Sequence, residues 1–461
     1  MWGWVVGNVI VCGAGACGLL TAMVLAQSGH SVTVFERDAS PSPAAEHAWE
    51  SWERRGVNQF RLPHFLMPAF RHMADRELPG LIRAMEEAGA VRFNFLGPLA
   101  PTVDPDGRYD VVTARRPIFE SVLASIAETS PGVRVMRGVA LDGLVWGNQV
   151  RPGTPHVRGV RTQSGEEIDG DLVIDAMGRR SPLQRWISAD GHDPGTDDVE
   201  DSGFIYYGCH IDTGGELLGP IVNYYGSVAI LALPADNQTA GVGFVGWSGD
   251  SALRPLRNEA PWRAAMKLFP DGERILAGAM IGGMVSMAGI EDRHRRFVSE
   301  GRPVATGVVS VADASAATNP SLGRGISLGF RHVLQLRDVL ATAGLDDPLA
   351  LVEAFHEITE RDLGRWYEST IWHDRHRLRD MIAASEEQEP SHEPEWELFL
   401  RFMSGSRGDP VLGMRTLEIA MLTETPNQVL EDPEIRSRLA DLPTPRAEGP
   451  TRNQLLTATT S

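Results

Sequence analysis

The stretch "VIVCGAGACGLLTAMVLAQSGHSVTVFERD", residues 9–38, decides the fold class of this chain. It begins with an apolar run at 9–12, which is typical of a strand buried on both faces of a parallel sheet. Residues 19–27 are helix formers without proline, Gly29 follows as a C-terminal cap, and "SVTVFE" predicts a second strand. A strand, a glycine-rich turn, a helix and a second strand within about 30 residues predict a βαβ unit.

The glycines of this unit stand at the positions of a dinucleotide-binding fingerprint. Gly13 would allow a tight turn, Gly15 the close approach of a pyrophosphate to backbone N–H groups, and Gly18 the close packing of the helix on the strand. Glu36 ends the second strand, where a carboxylate accepts hydrogen bonds from both ribose hydroxyls. Such an acid disfavours a 2′-phosphate, so the unit predicts FAD or NAD. A tight turn without a ligand is the alternative, and Cys17 is predicted to pack on the first helical turn.

Length, charge and cysteine content exclude several classes of function. The 461 residues predict two or three domains. The net charge of −18 repels phosphate polymers and anionic membranes, so we expect no nucleic-acid partner. Three cysteines are too few for a disulfide framework, which favours a cytoplasmic protein. Glycines interrupt the apolar N-terminal segment, so we predict a buried strand there and no membrane span.

Two later segments distinguish FAD from NAD. "DLVIDAMGRRSPLQR", residues 171–185, predicts a buried strand that enters a turn at Gly178. "VVSVADASAATNPSLGRGISLGF", residues 308–330, predicts a strand ending at Asp313, followed by Pro320 and by a helix that Gly323 and Gly325 open. FAD needs further chain segments to hold its ribityl chain and its isoalloxazine ring, whereas NAD does not. The three segments together therefore favour FAD.

In this order, the three segments resemble those of the FAD-dependent monooxygenase superfamily with the para-hydroxybenzoate-hydroxylase-like fold. The resemblance covers about the first 345 residues. It implies an α/β protein with a Rossmann-like FAD-binding domain of the glutathione-reductase type, an inserted antiparallel-sheet substrate domain and a C-terminal helical region. The implied bounds are 1–75, 110–185 and 300–345 for the FAD-binding domain, 76–109 and 186–299 for the substrate-binding domain, and 346–461 for the helical region.

The resemblance also assigns cofactor contacts. It implies that Asp313 binds the ribityl hydroxyls and that the turn from Gly323 to Ile326 directs N–H groups at the flavin ring, which a helix N-terminus would support. The segment "TARRPIFESVLASIA" matches the family's arginine-bearing helix and places Arg116 near the phosphates. The complete set of implied FAD-binding residues is Gly13, Gly15, Gly18, Glu36, Arg37, Arg116, Asp313, Pro320, Gly323, Gly325 and Ile326.

Candidate catalytic and substrate residues come from regions with weaker motifs. Residues 54–73 resemble a segment that adjoins the flavin in polyether-epoxidase-like flavoproteins, which makes Gln59 and His64 candidate catalytic groups. Strand-like runs at 203–211, 227–235 and 239–248 predict the antiparallel sheet, and its aromatic side chains are candidates for the substrate pocket. We expect one or two of five to face the substrate, namely Tyr206, Tyr207, Tyr224, Tyr225 and Trp247. No metal site is predicted.

Two positions depart from the family pattern. Ala312 stands where a glycine is usual, a change that we expect a strand to tolerate. Met177 stands where hydroxylases that use NAD(P)H carry an aspartate, and "DAMGRRS" is more similar to the corresponding segment of styrene monooxygenases, flavin halogenases and polyether epoxidases. The resemblance implies an enzyme that uses O₂ and a flavin C4a-hydroperoxide to hydroxylate or epoxidise a hydrophobic small molecule, as in specialised metabolism. Electrons would come from NAD(P)H directly or through a separate flavin reductase.

Three other functions stay open. A flavin-dependent reductase or desaturase of the same fold would have no oxygenation step. A halogenase would need a lysine between flavin and substrate, and Lys267, the only lysine, lies in a helix-like stretch far from the flavin motifs. A non-catalytic flavin-binding module is the third, because Ala312 and Met177 depart from the pattern.

Overall fold

A computed structural model describes residues 6–54, 56–57, 59–97, 100–389, 393–443, 445 and 449–460. Its strands are β1 Asn8–Cys12, β2 Ser31–Glu36, β3 Val91–Asn94, β4 Asp110–Thr113, β5 Val133–Arg137, β6 Leu141–Arg151, β7 Thr154–Thr162, β8 Glu167–Asp169, β9 Leu172–Asp175, β10 Thr196–Asp201, β11 Phe204–Asp212, β12 Ile221–Tyr225, β13 Val228–Ala235, β14 Thr239–Trp247, β15 Met280–Met287, β16 Glu291–Arg296, β17 Val298–Ser299, β18 Arg302–Pro303, β19 Val308–Ser310 and β20 Ala316–Ala317.

The helices are α1 Ala16–Gln27, α2 Ala45–Ser51, α3 Pro68–Glu77, α4 Leu81–Glu87, α5 Ala100–Val103, α6 Arg116–Thr129, α7 Leu183–Ala189, α8 Glu259–Met266, α9 Gly272–Leu276, α10 Gly325–Ala343, α11 Pro348–Ile358, α12 Arg365–Ser385, α13 Pro394–Gly405, α14 Pro410–Ala420, α15 Pro426–Glu431, α16 Pro433–Ala440 and α17 Arg452–Thr460. Within the described parts of the chain, no helix is both long enough and apolar enough to cross a membrane.

A five-stranded parallel sheet carries the nucleotide fingerprint. Its strand order is β19-β9-β1-β2-β5, and every neighbouring pair is parallel. Helix α1 connects β1 to β2, which confirms the predicted βαβ unit. Because β1, β9 and β19 are adjacent and parallel, the three predicted cofactor segments leave the sheet at the same edge.

The parallel strands are apolar throughout because both faces of the sheet are covered. On one face α1, α6 and α10 contribute fully buried residues such as Leu20, Phe119 and Phe330 to the main core. On the other face the antiparallel sheet β6-β7-β8 packs Val157 and Val160 against the sheet. This arrangement confirms the Rossmann-like core.

A second sheet of five antiparallel strands, in the order β12-β13-β14-β11-β15, forms the predicted inserted sheet. Side chains alternate between its faces. Tyr206 packs with Leu62 and Leu231 on what we call the front face. Tyr207 packs on the back face, where α8 supplies the fully buried Trp262.

Residues 76–109 pack with the nucleotide core. Leu78, Leu81, Ile82 and Met85 belong to the same apolar cluster as the parallel sheet. Strand β3 pairs with β4, and no pairing with the front-face sheet occurs among the described strands. Helix α4 buries its apolar side against the nucleotide core, while the Gly89 carbonyl accepts from the Asn237 N–H at 2.9 Å beside the antiparallel sheet, so the assignment of this segment to the substrate domain stays a prediction.

The C-terminal region is helical, as predicted. Helices α13 to α16 form a small core of their own around Trp396, Phe399 and Phe402. The long helix α12 precedes them and contacts β14 of the antiparallel sheet. The helical region thus closes the side of the molecule next to the front face.

Candidate cofactor and substrate site

The three fingerprint glycines are needed for three different reasons. Gly13 has a φ of +103°, which L side chains rarely adopt, and its N–H donates to the Phe35 carbonyl at 2.8 Å. A Cβ on Gly18 would lie 1.9 Å from the Gly13 carbonyl oxygen. A Cβ on Gly15 would have no atom within 4 Å, and its backbone is extended at φ −75° and ψ 175°. Gly15 is therefore the glycine that leaves room for a ligand.

A buried chain of charges lies beside this turn. The Glu36 carboxylate accepts from the Ala14 N–H at 3.1 Å and from Arg54 Nη2 at 2.7 Å. Arg54 Nη1 donates to Glu120 at 2.6 Å, and Arg116 Nε donates to the same carboxylate at 2.7 Å. Burial would raise the pKa of Glu120, but Arg116 and Arg54 lower it. The network holds Glu36 and Arg116 in fixed positions.

Sequence reasoning missed Arg54 and Glu120. Arg54 bonds partners that are 18 and 66 residues away in the chain. Arg54 follows α2 and Glu120 lies on α6, so the packing of α2 against α6 brings them together.

The middle segment is anchored by Asp175. This carboxylate ends β9 and accepts from Met177 N at 3.0 Å, from Ser181 Oγ at 2.5 Å and from Ser310 Oγ at 3.2 Å. Burial raises the pKa of Asp175, and these three donors oppose that effect. Asp175 therefore ties the turn after β9 to β19, while Met177 lies on the cavity wall.

The late segment presents a carboxylate and a helix N-terminus. Asp313 is half-buried in a short turn after β19 and makes no hydrogen bond or ion pair with the described residues. Gly323 has a φ of +64° and turns the chain into α10. A Cβ on Gly325, the first residue of α10, would have no atom within 4 Å. The N-terminus of α10 thus faces open space, as a site for an electron-rich ligand requires.

The structure corrects the prediction for Ala312. We expected a strand residue that tolerates the change from glycine, but Ala312 lies beyond β19 and has a φ of +53°. An L residue in this left-handed region is strained, which is the physical reason for a glycine there. The Ala312 N–H donates to Nδ1 of buried His332 at 3.1 Å, which helps to hold this conformation.

One cavity of about 1810 Å³ joins all of these segments. The predicted FAD-binding residues that line it are Gly13, Gly15, Glu36, Arg37, Arg116, Asp313, Pro320, Gly323, Gly325 and Ile326. Gly18 lies behind the turn, where its lack of a side chain serves packing. The cavity continues from this end to the front face of the antiparallel sheet.

Gln59 and His64 also line the cavity. His64 Nδ1 lies 3.2 Å from the Ala114 carbonyl, and its ring stacks on Phe119 with centroids 5.9 Å apart. Burial, and then the charge of Arg116, lower the pKa of His64 to about 4. The neutral ring donates from Nδ1, and its buried Nε2 has no partner among the described residues. His64 can therefore accept one hydrogen bond from a ligand.

Two of the five candidate aromatic residues line the cavity. Tyr206 donates to Asn319 Oδ1 at 2.7 Å, and the Tyr224 hydroxyl lies 2.9 Å from His373 Nε2. Tyr207 and Tyr225 point to the back face because side chains alternate along a strand. Trp247 ends β14 with its ring folded against Gly249, so the structure places it off the cavity wall.

Comparison with known proteins identifies the type of cofactor site. Residues 8–180 match a family model described as FAD dependent oxidoreductase. The chain therefore carries an FAD-dependent oxidoreductase domain at residues 8–180. The matched range covers the fingerprint, Glu36 and the turn at Gly178, which fits FAD as the cofactor.

Relatives of this oxidoreductase extend over most of the chain. Protein Rv3254 of Mycobacterium tuberculosis is 27% identical in an alignment 435 residues long that covers 83% of this chain and 87% of the relative. Kynurenine 3-monooxygenase of Salinispora arenicola is 24% identical in an alignment 365 residues long that covers 75% of this chain and 74% of that enzyme. The solved structure of the flavin-dependent brominase Bmp2 has a TM-score of 0.60 at 15% identity and covers 94% of this chain and 99% of its own. That structural likeness shows the fold.

Proposed function

We propose that this FAD-dependent oxidoreductase is a monooxygenase that hydroxylates or epoxidises a hydrophobic small molecule. The observation that carries the proposal is the single cavity that joins the flavin-binding edge to an apolar front face, where Leu62, Leu231, Leu233 and Met287 line it. Bound reduced flavin supplies the electrons that activate O₂. The apolar wall would exclude water from that chemistry. The similarity to kynurenine 3-monooxygenase supports this choice.

The chain offers a partner for each part of FAD. The N–H groups at Gly15 and the first turn of α1 would hold the pyrophosphate, and Glu36 the ribose. Asp313, which has no other partner among the described residues, would bind the ribityl hydroxyls. The N-terminus of α10 would stabilise negative charge at the nearby edge of the flavin ring.

The cavity mouth favours an apolar substrate. Leu217, Val222 and Met403 line the cavity and are 42%, 38% and 36% exposed. Arg274 and Arg407 flank them and donate to the Leu217 carbonyl and to Asn223 at 2.7 and 2.8 Å. Exposed apolar side chains grouped at an opening are typical of a binding entrance.

Oxygen labelling tests the proposal. Holoenzyme is reduced under anaerobic conditions and divided into three samples, which receive styrene, indole or 2-naphthol. Each sample is then mixed with ¹⁸O₂, and its products are analysed by mass spectrometry. A monooxygenase incorporates one ¹⁸O atom. Reoxidation of the flavin with no label in any product would overturn the proposal, and an unlabelled reduced or desaturated product would support the reductase alternative. Leu231→Trp, which fills the front face, should lower incorporation in the presence of bound FAD.

The structure gives halogenation no support. Lys267 follows α8 at the back face, is exposed and is absent from the cavity wall. A relay lysine must lie between flavin and substrate.

We propose further that electrons reach the flavin through a separate flavin reductase. Met177, which replaces the acid associated with NAD(P)H use, lines the cavity at the middle segment. Anaerobic mixing of oxidised holoenzyme with NADH or NADPH should therefore bleach the flavin slowly, and an added flavin reductase should accelerate the bleaching. Rapid bleaching by either nucleotide alone, stimulated by substrate, would return the enzyme to the self-sufficient class.

A further inference from the structure

We infer that Tyr224, His373 and Asp374 form a proton relay at the substrate end of the cavity, and that the relay ionises a hydroxyl group of the substrate. This inference rests on the proposed monooxygenase function. The Tyr224 hydroxyl lies 2.9 Å from His373 Nε2, and His373 Nδ1 lies 2.9 Å from Asp374 Oδ1. Tyr224 and His373 line the cavity, whereas Asp374 is buried beneath them.

The bonds to Asp374 fix the direction of the relay. Its carboxylate also accepts from Asn319 Nδ2 at 3.0 Å and from Ser321 Oγ at 3.1 Å. An ionised carboxylate only accepts hydrogen bonds, so His373 carries its proton on Nδ1. Nε2 then accepts from the Tyr224 O–H, and the Tyr224 oxygen keeps a lone pair for a donor in the cavity.

The proton movement balances without a further reactant. The substrate O–H bond breaks, its proton passes to the Tyr224 oxygen, and the proton of Tyr224 passes to His373 Nε2. The electron pair stays on the substrate oxygen, and Asp374 stabilises the imidazolium. Burial raises the pKa of Tyr224 to about 12, so transfer in one concerted step avoids a free tyrosinate. The structure thus favours a hydroxyarene or an enol, whose carbon becomes more nucleophilic when the oxygen is ionised.

The two residues that donate to Asp374 belong to the turn that is proposed to bind the flavin ring. Asn319 and Ser321 flank Pro320, only a few residues before the N-terminus of α10. Asn319 also accepts from Tyr206 of the antiparallel sheet at 2.7 Å. Ionisation of the substrate would therefore occur at the junction of the flavin turn and the front face.

Charged groups around the relay favour an anionic substrate. Arg377 lies over the Tyr224 ring at 4.9 Å, and Arg324 is buried over Trp366 at 4.9 Å. Burial lowers the pKa of both guanidinium groups to about 10, so both stay charged at neutral pH. Neither forms an ion pair with the described residues, and the Nε atom of each is buried without a partner.

Acidic groups complete the surroundings of the relay. Asp292 accepts from the Asn319 N–H on the far side of Asp374, and burial together with Asp374 raises the pKa of Asp292 to about 7. Asp380 lies beyond Arg377, and burial raises the pKa of this carboxyl group too. A pH profile of the site therefore includes the titration of Asp292, so the relay must be tested on the ionisation of the ligand itself.

The test uses 7-hydroxycoumarin, whose neutral and anionic forms absorb differently. The probe is bound to oxidised holoenzyme without turnover, and its apparent pKa is measured between pH 5 and 9. We expect the bound probe to ionise at least about tenfold more readily than the free probe, which is one pKa unit. Tyr224→Phe, His373→Gln and Asp374→Asn should each abolish the shift while FAD stays bound.

Matched measurements separate the relay from simple binding. Tyr225→Phe is the control, because Tyr225 is the next residue on β12 and packs on Phe269 at the back face. 7-Methoxycoumarin, which has no proton to lose, should bind the wild type and Tyr224→Phe equally. A shift that survives in Tyr224→Phe, or failure of the wild type to bind 7-hydroxycoumarin, would overturn the inference.

The probe experiment is independent of oxygen transfer. If the shift is absent but ¹⁸O still enters a product, the relay is wrong and the monooxygenase proposal stands. If the pKa shift is present but ¹⁸O enters no product of the labelling experiment, the monooxygenase proposal is wrong and the relay ionises a ligand for another reaction.

Discussion

Gly15 and Gly18 differ in what a side chain would meet, although both belong to one short motif. The face of Gly15 is open, and its backbone conformation is available to any residue. The face of Gly18 touches the Gly13 carbonyl. The same substitution type should therefore change cofactor binding at one position and folding at the other.

We predict that Gly15→Val folds but loses FAD, whereas Gly18→Ala is unstable even without FAD. Valine at 15 projects into the space proposed for the pyrophosphate, and its FAD affinity should fall at least about tenfold, which is about 1.4 kcal/mol. Bound flavin absorbance and the Tm of the apoproteins distinguish the two effects. A Gly15→Val protein with full FAD content would contradict the assigned role of this turn.

The buried charges beside the turn give a second prediction at this scale. Arg54→Met leaves Glu36 and Glu120 buried without their shared cation, which should lower the free energy of unfolding by about 3–5 kcal/mol. Arg83→Met is the matched control, because the Arg83–Glu87 pair is exposed and should contribute nothing measurable. Urea unfolding of the apoproteins measures both. Equal stability of the two variants would show that the buried network is dispensable.

At the scale of elements, the contact between α1 and α10 depends on one glycine. A Cβ on Gly329 of α10 would lie 2.5 Å from Cys17 Sγ and 2.8 Å from the Ala312 Cβ. The late segment is therefore held against the fingerprint helix by close packing. Cys17 takes part in this contact, which the sequence did not predict, and burial with the charge of Asp313 raises the pKa of its thiol to about 12.

We predict that Gly329→Ala destabilises the apoprotein by about 1–3 kcal/mol. Adding Cys17→Ala should recover part of the loss, because it relieves the clash with sulfur but leaves the clash with Ala312. Gly325→Ala on the same helix is the control and should not lower the apoprotein Tm. Additive effects in the double variant would mean that the two residues do not touch in solution.

The alternation of β11 and β12 explains the aromatic predictions at this scale. The sequence predicted the strand at 203–211 but not β12, and in both strands the period of two places Tyr206 and Tyr224 on one face and their neighbours on the other. It did not predict which face is the cavity, because that depends on where α8 and α12 pack. His373 and Asp374 lie on α12, in a region for which the sequence predicted only helices.

For the whole molecule, buried histidines set the response to acid. Burial is the main cause that lowers the pKa of His64 to about 4, and of His210 and His332 to about 3. These groups are neutral in the fold, whereas in the unfolded chain they bind protons below about pH 6.5. Each therefore contributes stability that is present above pH 6.5 and is lost as the pH falls toward the folded pKa.

We predict that the free energy of unfolding falls with pH below 6.5, by about 1.4 kcal/mol per pH unit for each such histidine. His210→Phe removes one titration and keeps a ring against Trp49, whose centroid lies 4.7 Å away. Between pH 5.5 and 4, the unfolding free energy of this variant should change by about 1.4 kcal/mol less per pH unit than that of the wild type. Parallel profiles for the variant and the wild type would show that His210 is protonated in the fold.

The sequence by itself determined the parallel βαβ core, the three cofactor segments, the inserted antiparallel sheet and the C-terminal helices. It could do so because strand and helix periodicity, turn glycines and a terminal acid are local properties of the chain. Only the tertiary structure decided that Arg54 and Glu120 flank the fingerprint, that Ala312 is left-handed, that residues 76–109 pack on the nucleotide core, and that Tyr224 meets His373 and Asp374. Those contacts join elements far apart in the chain, and their geometry follows from the packing of whole sheets and helices.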